Sequence, residues 1–500
     1  MDLRPDAKSF VATYEAGRPQ VVWASLVADL ETPVSAMMKL AEGRPYSFLL
    51  ESVTGGAVRG RYSIIGTKPD LVWRCRGNRA EINRRARADR HAFEPLDGAA
   101  LDTLRDLIRE CRIDVPPELP PMSAGLFGQM GYDTVRLMER LPEKNQDRLD
   151  LPDAVFLRPT LIAIFDNIED RVTIVTPVWP SRDISAAAAY DLACSRLDEA
   201  AADFARGLAH GSRQVTATTS APRSNVTPEA YYDFVERAKE YIRAGDIFQV
   251  VPSQRFSLAF ELPPFALYRA LRRLNPSPFL FFLDLDGYAL VGSSPEILVR
   301  LRDGTVTVRP IAGTRRRGAN RAEDEALAAE LLADPKELAE HLMLLDLGRN
   351  DVGRVAQIGT VRVTEKMIVE YYSHVMHIVS NVEGKIRPEL DALDALIAGF
   401  PAGTVSGAPK IRAMEIIEEL ESERRGFYGG CVGYFSADGN MDTCIALRTA
   451  LVKDGTMYVQ AGGGVVYDSD PKAEYEETVN KARALIRAAE EAVRFASRRG

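Results

Sequence analysis

The sequence predicts an α+β fold in which antiparallel β-sheets pack together as a sandwich and helices lie outside. Residues 279–311 and 430–466 each hold apolar runs interrupted by two Asp-Gly pairs, and Asp-Gly between apolar runs is a strong signal for a β-hairpin. These stretches predict two antiparallel meanders. A largely helical block separates them at roughly 320–425. Strands and helices that occur in separate runs are typical of α+β proteins.

The chain before residue 209 mixes strand and helix signals. Strands are predicted at 45–53, 61–66 and 70–76, a hairpin at 160–178 and a long helix at 185–208. These elements place a first sheet, with at least one helix against it, ahead of the two Asp-Gly stretches.

Residues 209–227 form the predicted linker, because they are rich in Ser, Thr, Ala and Pro and lack an apolar period. A helix is predicted directly after them. Thr227 can cap its N-terminus, Pro228 suits its first turn and Gly245 can end it.

Composition and charge exclude several classes of function. At 500 residues the chain is too long for one ordinary hydrophobic core, so two large domains are expected. The net charge of −8 argues against a nucleic-acid partner. The N-terminus lacks the apolar segment of a signal peptide, and no apolar run is long enough to span a membrane. The five cysteines show no CxxC spacing, which favours reduced thiols and a cytoplasmic location.

The densest candidate for chemistry is the stretch 461–478, AGGGVVYDSDPKAEYEET. Its glycines, Gly462 to Gly464, end a predicted strand, and glycine lets backbone N–H groups approach a ligand closely. Five carboxylates follow within fourteen residues, and carboxylates repel an anion unless a cation lies between them. The combination predicts an anionic substrate that is held partly by backbone amides and partly through a metal ion.

Two pairs of glutamates could supply that metal site. Glu337 and Glu340 are three residues apart in a predicted helix, and Glu474 and Glu477 repeat this spacing after Pro471. Mg²⁺ suits such oxygen ligands because it keeps bound waters and needs only one or two protein carboxylates plus the substrate. Glutamates at this spacing usually form a solvated helix face. The glycine run beside one pair, and Arg349-Asn350-Asp351 just after the other, are what favour the metal site.

Three further stretches carry weaker signals, and each has an ordinary structural explanation. Residues 399–421 form a loop before a helix whose N-terminus favours an anion, or a plain turn. Residues 310–318 end a strand in three arginines, which favour carboxylates or form a solvated loop. Residues 371–380 predict a strand in which His374 and His377 lie on opposite faces, so they are not a metal pair. One of them is a candidate catalytic residue or simply packs.

Six segments taken together resemble a known family. They are SSPEILVR, PIAGTRRRG, HLMLLDLGRNDVGRV, HVMHIVS, GFPAGTVSGAPK and AGGGVVYDSDPKAEYEET, in this order. The chain is similar to the chorismate-utilising enzymes, and among them to the large subunits (component I) of anthranilate synthases, over nearly its whole length. The resemblance implies an N-terminal domain at 20–180 with a feedback region, a chorismate-binding catalytic domain at 228–490, and the α+β sandwich predicted above.

The resemblance also implies the residues of the site. The implied Mg²⁺ ligands are Glu340 and Glu477, with Glu474 assisting. The implied catalytic residues are Glu296, His377, Glu337 and Thr404. The implied substrate contacts are Gly313, Thr314, Tyr428, Arg448, Gly462, Gly463, Gly464, Lys481 and Gln249.

The implied reaction is amination of chorismate by ammonia, followed by loss of pyruvate, to give anthranilate as the first committed step of tryptophan synthesis. Hydroxide is a poor leaving group, so a general acid must protonate it, and Glu296 matches that acid. Aromatisation then requires that a proton leaves C2, and His377 matches the histidine of this second step. Mg²⁺ orients the ring carboxylate and stabilises developing charge.

Two positions argue against related enzymes on the same scaffold. Aminodeoxychorismate synthase component I, the main alternative, carries a lysine where Ala312 lies in PIAGT. Isochorismate and salicylate synthases carry a lysine base where Gln249 lies. The other alternative is a non-catalytic homologue that binds chorismate or tryptophan, and the full set of acids together with His377 argues against it.

The resemblance implies a partner and an inhibitor. No segment resembles a glutamine amidotransferase, so a separate glutaminase subunit (component II) is expected to supply ammonia within a heterotetramer, unless free ammonia is used. L-Tryptophan is expected to inhibit from a second site between LLES and NPSPFLFF. The implied residues of that site are Glu51, Ser52, Pro278, Phe279, Leu280, Tyr434 and Cys444.

Overall fold

A computed structural model describes residues 1–41, 43–54, 58–208, 219–372 and 375–497. Its helices are α1 (Ala7–Glu15), α2 (Pro33–Ala41), α3 (Ala100–Glu110), α4 (Ala186–Ala205), α5 (Pro228–Ala244), α6 (Pro264–Leu274), α7 (Arg321–Ala333), α8 (Pro335–Gly353), α9 (Ala392–Gly399), α10 (Gly403–Ser406), α11 (Lys410–Leu420) and α12 (Pro471–Ser497), with 3₁₀ helices at Pro121–Ser123 and Tyr132–Leu137. Its strands are β1 (Gln20–Val27), β2 (Ser47–Thr54), β3 (Val58–Arg76), β4 (Arg79–Asn83), β5 (Glu94–Pro95), β6 (Gly125–Met130), β7 (Ala154–Asp166), β8 (Arg171–Val178), β9 (Arg223–Ser224), β10 (Gln249–Val250), β11 (Ser253–Ala259), β12 (Phe279–Asp284), β13 (Tyr288–Ser294), β14 (Ile297–Arg302), β15 (Thr305–Val308), β16 (Ile311–Arg316), β17 (Arg362–Tyr371), β18 (Val375–Lys385), β19 (Gly407–Ala408), β20 (Cys431–Ser436), β21 (Met441–Ile445), β22 (Thr449–Lys453) and β23 (Thr456–Gly462). His374 and most of the predicted linker lie outside the described residues.

In the described part of the chain, 21 strands join one sheet that divides into two arms. The long strands β3 and β7 pair antiparallel at its centre. The first arm continues from β3 through β2, β12, β13, β22, β23 and β11. The second arm continues from β7 through β6, β20, β21, β14, β15, β18 and β16. All of these pairs are antiparallel, as the sequence predicts.

Apolar cores lie between the two arms and on both outer faces. Between the arms, Phe48 stacks on Phe127 with ring centroids 4.6 Å apart, and Phe127 meets Tyr434 at 5.4 Å. Outside the first arm, a core packs against α1, α2, α4, α6 and α12. Outside the second arm, another packs against α3, α8 and α9. The predicted sandwich of antiparallel sheets with outer helices is confirmed.

The four Asp-Gly pairs all lie at hairpin turns, as predicted. In Asp286-Gly287, Asp303-Gly304 and Asp454-Gly455 both residues have positive φ, which the type I′ hairpin turn requires. In Asp438-Gly439 only the glycine does. Helix α5 also follows its predicted signals, with the Thr227 hydroxyl as its cap and a left-handed Gly245 at its end.

The prediction that each Asp-Gly stretch forms one continuous meander is wrong. Hairpin β12–β13 pairs with β22 in the first arm, whereas hairpin β14–β15 pairs with β21 in the second. The chain crosses between the arms at residues 294–296, where Pro295 has no N–H for a ladder hydrogen bond. A matching crossover joins β21 to β22 at residues 446–448. Each stretch therefore contributes one hairpin to each arm.

The two predicted sequence domains share both arms. Strand β2 of the N-terminal region pairs with β12, and β6 pairs with β20. The segments 61–66 and 70–76, predicted as separate strands, belong to the single strand β3. Part of the predicted linker, Arg223–Ser224, pairs as β9 with β11. The division at 209–227 stays a prediction about sequence regions. Among the described helices, none combines the length and the apolar character needed to cross a bilayer.

Gly128→Ala is expected to destabilise the protein, because Gly128 lies on β6, the strand through which the N-terminal region pairs with β20 of the C-terminal region. Gly128 of β6 pairs with Phe156 of β7 and with Gly433 of β20. A Cβ at this position would lie 1.9 Å from the carbonyl oxygen of Val155. Forcing the strands apart should lower the free energy of unfolding by about 1–3 kcal/mol or more, measured by urea denaturation. Gly207→Ala is the control, because Gly207 is exposed and has open space around it. This variant should change the free energy of unfolding little.

Candidate active site

The residues predicted for the site meet where the two crossovers approach helices α8 and α12. Glu296 and Arg448 lie on the crossovers, and His377 lies on β18 beside Gly313 and Thr314 of β16. The glutamates lie on the two helices. A Cβ on Gly313 would be 3.1 Å from Glu337 Oε2, so the strand residues and the glutamates form one continuous site.

Glu296 is buried, with 7% of the residue exposed. Burial raises the pKa of its carboxyl to about 8, although the Thr404 hydroxyl, the Ile311 amide and Arg448 oppose this rise. Thr404 Oγ1 makes no hydrogen bond of ordinary distance and angle within the described chain. The hydroxyl therefore lies near the Glu296 carboxyl but does not hold it in one orientation. At pH 7 Glu296 is mainly protonated, and a buried neutral carboxyl can donate a proton.

Arg448 brings a positive charge to the same pocket. Burial lowers the pKa of its guanidinium, but arginine stays charged in proteins. Within the described chain, its guanidinium has neither a hydrogen-bond acceptor nor an ion-pair partner. Arg448 is half-buried, and a charge that is partly withdrawn from water gains from a partner of opposite charge. The arrangement fits a ligand that carries the missing negative charge.

His377 lies in the middle strand of a three-stranded part of the second arm, with Thr314 on one side and Glu370 on the other. Its Nδ1 is 3.0 Å from the carbonyl oxygen of Gly313 and 3.1 Å from Thr314 Oγ1. A carbonyl only accepts, so Nδ1 carries the proton and Nε2 keeps a free lone pair. Burial and then Arg448 lower the pKa of His377 to about 4, and its ring is a neutral base at pH 7.

Four glutamates of α8 and α12 concentrate negative charge at the other end of the site. Burial, and then repulsion from Glu337 and Glu477, raise the pKa of Glu340. Burial and repulsion from Glu477 likewise raise the pKa of Glu474. Glu474 Oε2 is buried and has no hydrogen-bond partner in the described chain. Carboxylates in this state gain from a nearby cation.

The donor set fits Mg²⁺ that is shared with a ligand. Among the described residues, no three His, Cys, Asp or Glu side chains form a complete metal-binding group. Mg²⁺ retains several waters, so one or two carboxylates plus an anionic ligand suffice. Lys481 offsets part of the charge, since its Nζ lies 2.7 Å from Glu477 Oε1 and donates to the Gly462 carbonyl at 2.9 Å.

The glycines at 462–464 are required by close packing as much as by a ligand. Side chains there would meet Tyr428 Oη at 2.9 Å, Glu474 Oε2 at 2.8 Å and Gln249 Nε2 at 2.6 Å, in chain order. The second amide donates to the Pro252 carbonyl at 3.2 Å. Within the described chain, only the amide of Gly464 has no hydrogen-bond acceptor. Of the three glycines, Gly464 is therefore the one whose backbone N–H is free to contact a ligand. The Gln249 side chain donates to Glu340 at 3.1 Å.

The three arginines at 315–317 do not form a free site for a substrate carboxylate. Each one pairs with acids of α7 or α8 and the turn between them. The pairs are Arg315 with Glu330, Asp334 and Glu337, Arg316 with Glu323, and Arg317 with Asp324. Through Arg315 this loop instead holds Glu337, at 3.1 Å.

Two residues against His377 were not singled out by the sequence. Glu370 lies directly across from it in the β17–β18 pair. The Tyr372 ring lies edge-on to the imidazole with centroids 5.4 Å apart, and its hydroxyl donates to Glu370. Only the register of two strands brings these side chains to His377, and a local sequence pattern does not contain that register.

A cavity of about 1010 Å³ lies between the arms, and we call it the interarm cavity. It is lined by all but one of the predicted feedback residues, namely Glu51, Ser52, Phe279, Leu280, Tyr434 and Cys444. Pro278 does not line it, and its carbonyl instead accepts from Val53 N–H at 3.1 Å. The Glu51 oxygens already accept from Arg272 and Tyr268 at 2.5–2.8 Å, so a ligand ammonium would share this carboxylate.

Comparison with known proteins gives matches over almost the whole chain. The family described as chorismate binding enzyme matches residues 59–487. The chain is 64% identical over 494 residues to anthranilate synthase component 1 of Cereibacter sphaeroides, which covers 99% of each chain. It is 49% identical to anthranilate synthase component 1 of Pseudomonas putida, covering 92% of this chain and 93% of the relative.

Solved structures show the same fold. Anthranilate synthase component I from Streptococcus pneumoniae superposes with a TM-score of 0.75 at 37% identity, covering 92% of this chain and 98% of the other. The menaquinone-specific isochorismate synthase of Escherichia coli superposes with a TM-score of 0.70 at 19% identity, covering 97% of this chain and 100% of the other. At that identity the second likeness concerns the fold alone.

The Glu296 carboxyl is expected to be protonated at neutral pH and to lose its proton as pH rises through about 8. Infrared difference spectra of wild type minus Glu296→Gln should show a carboxylic acid carbonyl band at pH 6 that disappears above pH 9. A carboxylate band for this position at pH 6 would contradict the expected protonation. Glu476→Gln, on the exposed side of α12, should give no such band.

Proposed function

The chain belongs to the family of chorismate-binding enzymes, and from this premise we propose that it is the large subunit of an anthranilate synthase, which converts chorismate into anthranilate and pyruvate. The observation that carries the proposal is the charge pattern of one site. Arg448, half-buried and without a salt bridge in the described chain, lies at one end, and repelling glutamates lie at the other. Chorismate is a dianion, so one of its carboxylates can pair with the arginine and the other with a cation held by the glutamates.

Glu296 supplies the proton for the first step. Ammonia attacks C2 of the ring while the hydroxyl leaves from C4, and protonation turns that poor leaving group into water. Burial holds Glu296 in the protonated form that this role needs. Thr404, whose hydroxyl has no partner in the described chain, is the neighbouring group available to bind the departing oxygen.

His377 supplies the base for the second step. Its free Nε2 takes the proton from C2 of the aminated intermediate, the C–H electron pair completes the aromatic ring, and the C–O bond to the enolpyruvyl group breaks. The departing enolate takes up one proton and becomes pyruvate. The Gly313 carbonyl keeps the proton of the imidazole on Nδ1, so Nε2 remains available. Gly313 and Thr314 thus orient the base besides lining the pocket.

Mg²⁺ is the proposed cofactor, with Glu340 and Glu477 as its ligands and Glu474 assisting. When bound, the ion neutralises and orients the ring carboxylate. Lys481 pairs with Glu477 and binds the Gly462 carbonyl, so it ties one ligand to the glycine corner. The Gly464 amide and Tyr428 lie at the enolpyruvyl side.

Ammonia is the proposed nucleophile. Ala312 has no amine to attack C2, and the Gln249 amide cannot deprotonate water. We propose that a separate glutaminase subunit, component II, delivers the ammonia in a heterotetramer. The name of the relatives, component 1, supports the existence of such a partner. The free cysteines of the described chain suit the proposed cytoplasmic location.

L-Tryptophan is the proposed inhibitor, bound in the interarm cavity. The cavity offers apolar walls from Phe279 and Leu280 and polar groups from Glu51 and Ser52. A bound amino acid would fill only part of about 1010 Å³. The cavity contains none of the proposed catalytic residues, so inhibition from it acts at a distance.

The purified chain is expected to form anthranilate, detected by its fluorescence, from chorismate, Mg²⁺ and a high concentration of ammonium. Glutamine should not replace ammonium, because the proposal assigns glutamine hydrolysis to another subunit. EDTA should abolish the product and added Mg²⁺ should restore it. Absence of product with ammonium and Mg²⁺ would overturn the function, and glutamine-dependent product from this chain alone would overturn the partner.

A pair of neighbouring variants separates the metal site from the helix that carries it. Glu477→Gln removes a proposed Mg²⁺ ligand, whereas Glu476→Gln removes an exposed charge of the same helix. We expect only Glu477→Gln to lose activity or to need much more Mg²⁺, with unchanged thermal unfolding. Equal activity of the two variants at ordinary Mg²⁺ would contradict the assignment.

Ser52→Phe is expected to relieve inhibition by tryptophan while leaving activity largely intact, because the ring would occupy the interarm cavity and none of the catalytic residues lines that cavity. Wild-type activity should fall with tryptophan in competition with chorismate. Ser52→Ala is the control for size and should stay more sensitive than the phenylalanine variant. Insensitivity of the wild type at millimolar tryptophan, or full sensitivity of Ser52→Phe, would rule out this cavity as the feedback site.

A further inference from the structure

We propose that Tyr372 is a positioning residue for His377, held in place by Glu370 and Arg309. The inference rests on the proposed function, since it concerns the base of the elimination step. Tyr372 would touch neither substrate nor metal. Its role would be to keep the imidazole plane, and with it the Nε2 lone pair, directed at C2.

The ring of Tyr372 is the aromatic surface against which the imidazole packs. Tyr372 is 9% exposed and His377 is 7% exposed. Their ring planes meet at 65° with centroids 5.4 Å apart, within the range that edge-to-face aromatic pairs prefer. The Gly313 carbonyl fixes one atom of the imidazole, Nδ1, but rotation about that hydrogen bond remains possible. The tyrosine ring removes this freedom.

The hydroxyl of Tyr372 is itself anchored. It donates to Glu370 Oε2 at 2.9 Å, and Glu370 accepts from Arg309 Nη1 and Nη2 at 3.2 and 2.6 Å. Glu370 is the cross-strand neighbour of His377, so the anchor and the base share one face of the second arm. Arg309 also binds Glu365 at 3.0 Å. The tyrosine ring is therefore fixed at its far end by a paired carboxylate.

The backbone of Tyr372 is fixed as well. Its N–H donates to the Val375 carbonyl at 2.8 Å, and its carbonyl accepts from Arg317 at 2.6 Å. Arg317 in turn pairs with Asp324. Burial, with Glu370 adding to it, raises the pKa of the Tyr372 phenol, so this hydroxyl keeps its proton at neutral pH and can donate the hydrogen bond to Glu370. These contacts at the backbone and at the hydroxyl suit Tyr372 to holding the orientation of its neighbour.

The consequence differs between the two steps of the reaction. Amination depends on Glu296, with which Tyr372 makes no hydrogen bond in the described chain, whereas elimination depends on the direction of His377 Nε2. Small misplacements of a catalytic group cost large factors in rate. Loss of the tyrosine ring should therefore slow elimination selectively, and the aminated intermediate should accumulate.

The test uses the full chain with chorismate, Mg²⁺ and ammonium, and separates the aminated intermediate from anthranilate by chromatography. Tyr372→Leu removes the ring and should raise the ratio of intermediate to anthranilate on the order of 10-fold. Tyr372→Phe removes only the anchor to Glu370 and should raise it by a smaller factor. Tyr371→Leu and Tyr371→Phe are matched controls at the exposed neighbouring tyrosine, and should leave the ratio unchanged.

The ratio distinguishes positioning from a general structural effect. If Tyr372 only supports the fold, both steps slow together and the ratio stays at the wild-type value, which would overturn the proposal. If Tyr372→Leu fails to fold, as judged by circular dichroism, the smaller shift of Tyr372→Phe decides, and an unchanged ratio there also overturns it.

His377→Ala, measured in parallel, separates this inference from the proposed function. Accumulation of intermediate in His377→Ala but not in either Tyr372 variant would overturn only the role of Tyr372. No accumulation in His377→Ala would overturn the role of His377 as the base, and with it the premise of the inference.

Discussion

The buried ion pair of Arg425 and Glu421 is the interaction on which the arrangement of the site depends. Arg425 is 2% exposed and donates to both Glu421 oxygens at 2.6 and 3.0 Å, and to the Val251 and Val405 carbonyls at 2.6 Å. Glu421 also accepts from the amide and the hydroxyl of Ser253, both at 2.8 Å. Removal of one partner from such a pair costs about 3–5 kcal/mol. These bonds join the segment that precedes β11, which carries Gln249, to α10, which carries Thr404.

Two arginines of the candidate site differ in their surroundings, since Arg425 is buried and Arg448 is half-buried. The charge of Arg425 is matched within the chain, whereas that of Arg448 has no partner in the described residues. Because Arg448 is partly exposed, water can solvate it in the free chain, and a ligand that displaces this water must supply the negative charge. Arg448 and Glu296 also occupy the two crossovers, where the strand ladder is interrupted. Side chains there escape the alternation of a strand, so both crossovers can direct polar groups into one pocket.

The sequence predicts features that depend on local chemistry. The Asp-Gly turns, the Thr227 cap and the sandwich follow from neighbouring residues, and the motifs supply most residues of the candidate site. The pairing of hairpins into two arms is not local, because β13 and β22 are far apart in the chain. Glu370 and Tyr372 were missed for the same reason, since their contact with His377 depends on the register of β17 and β18. The raised pKa of Glu296 arises from burial, which no short pattern contains.

The interarm cavity and the active site share strands on both sides of Glu296. Phe279 lines the cavity and pairs with Ser294, two residues before Glu296. Cys444 lines the same cavity and pairs with Ile297, directly after Glu296. Glu296, the proposed general acid, is thus held between two strand pairs that each have one member in the cavity wall. A ligand there can affect Glu296 only if it binds one arrangement of these strands better than another. Such coupling is reciprocal: if a ligand in the cavity weakens the binding of substrate, substrate must weaken the binding of that ligand by the same factor. The competition proposed between tryptophan and chorismate therefore does not require the two ligands to share a site.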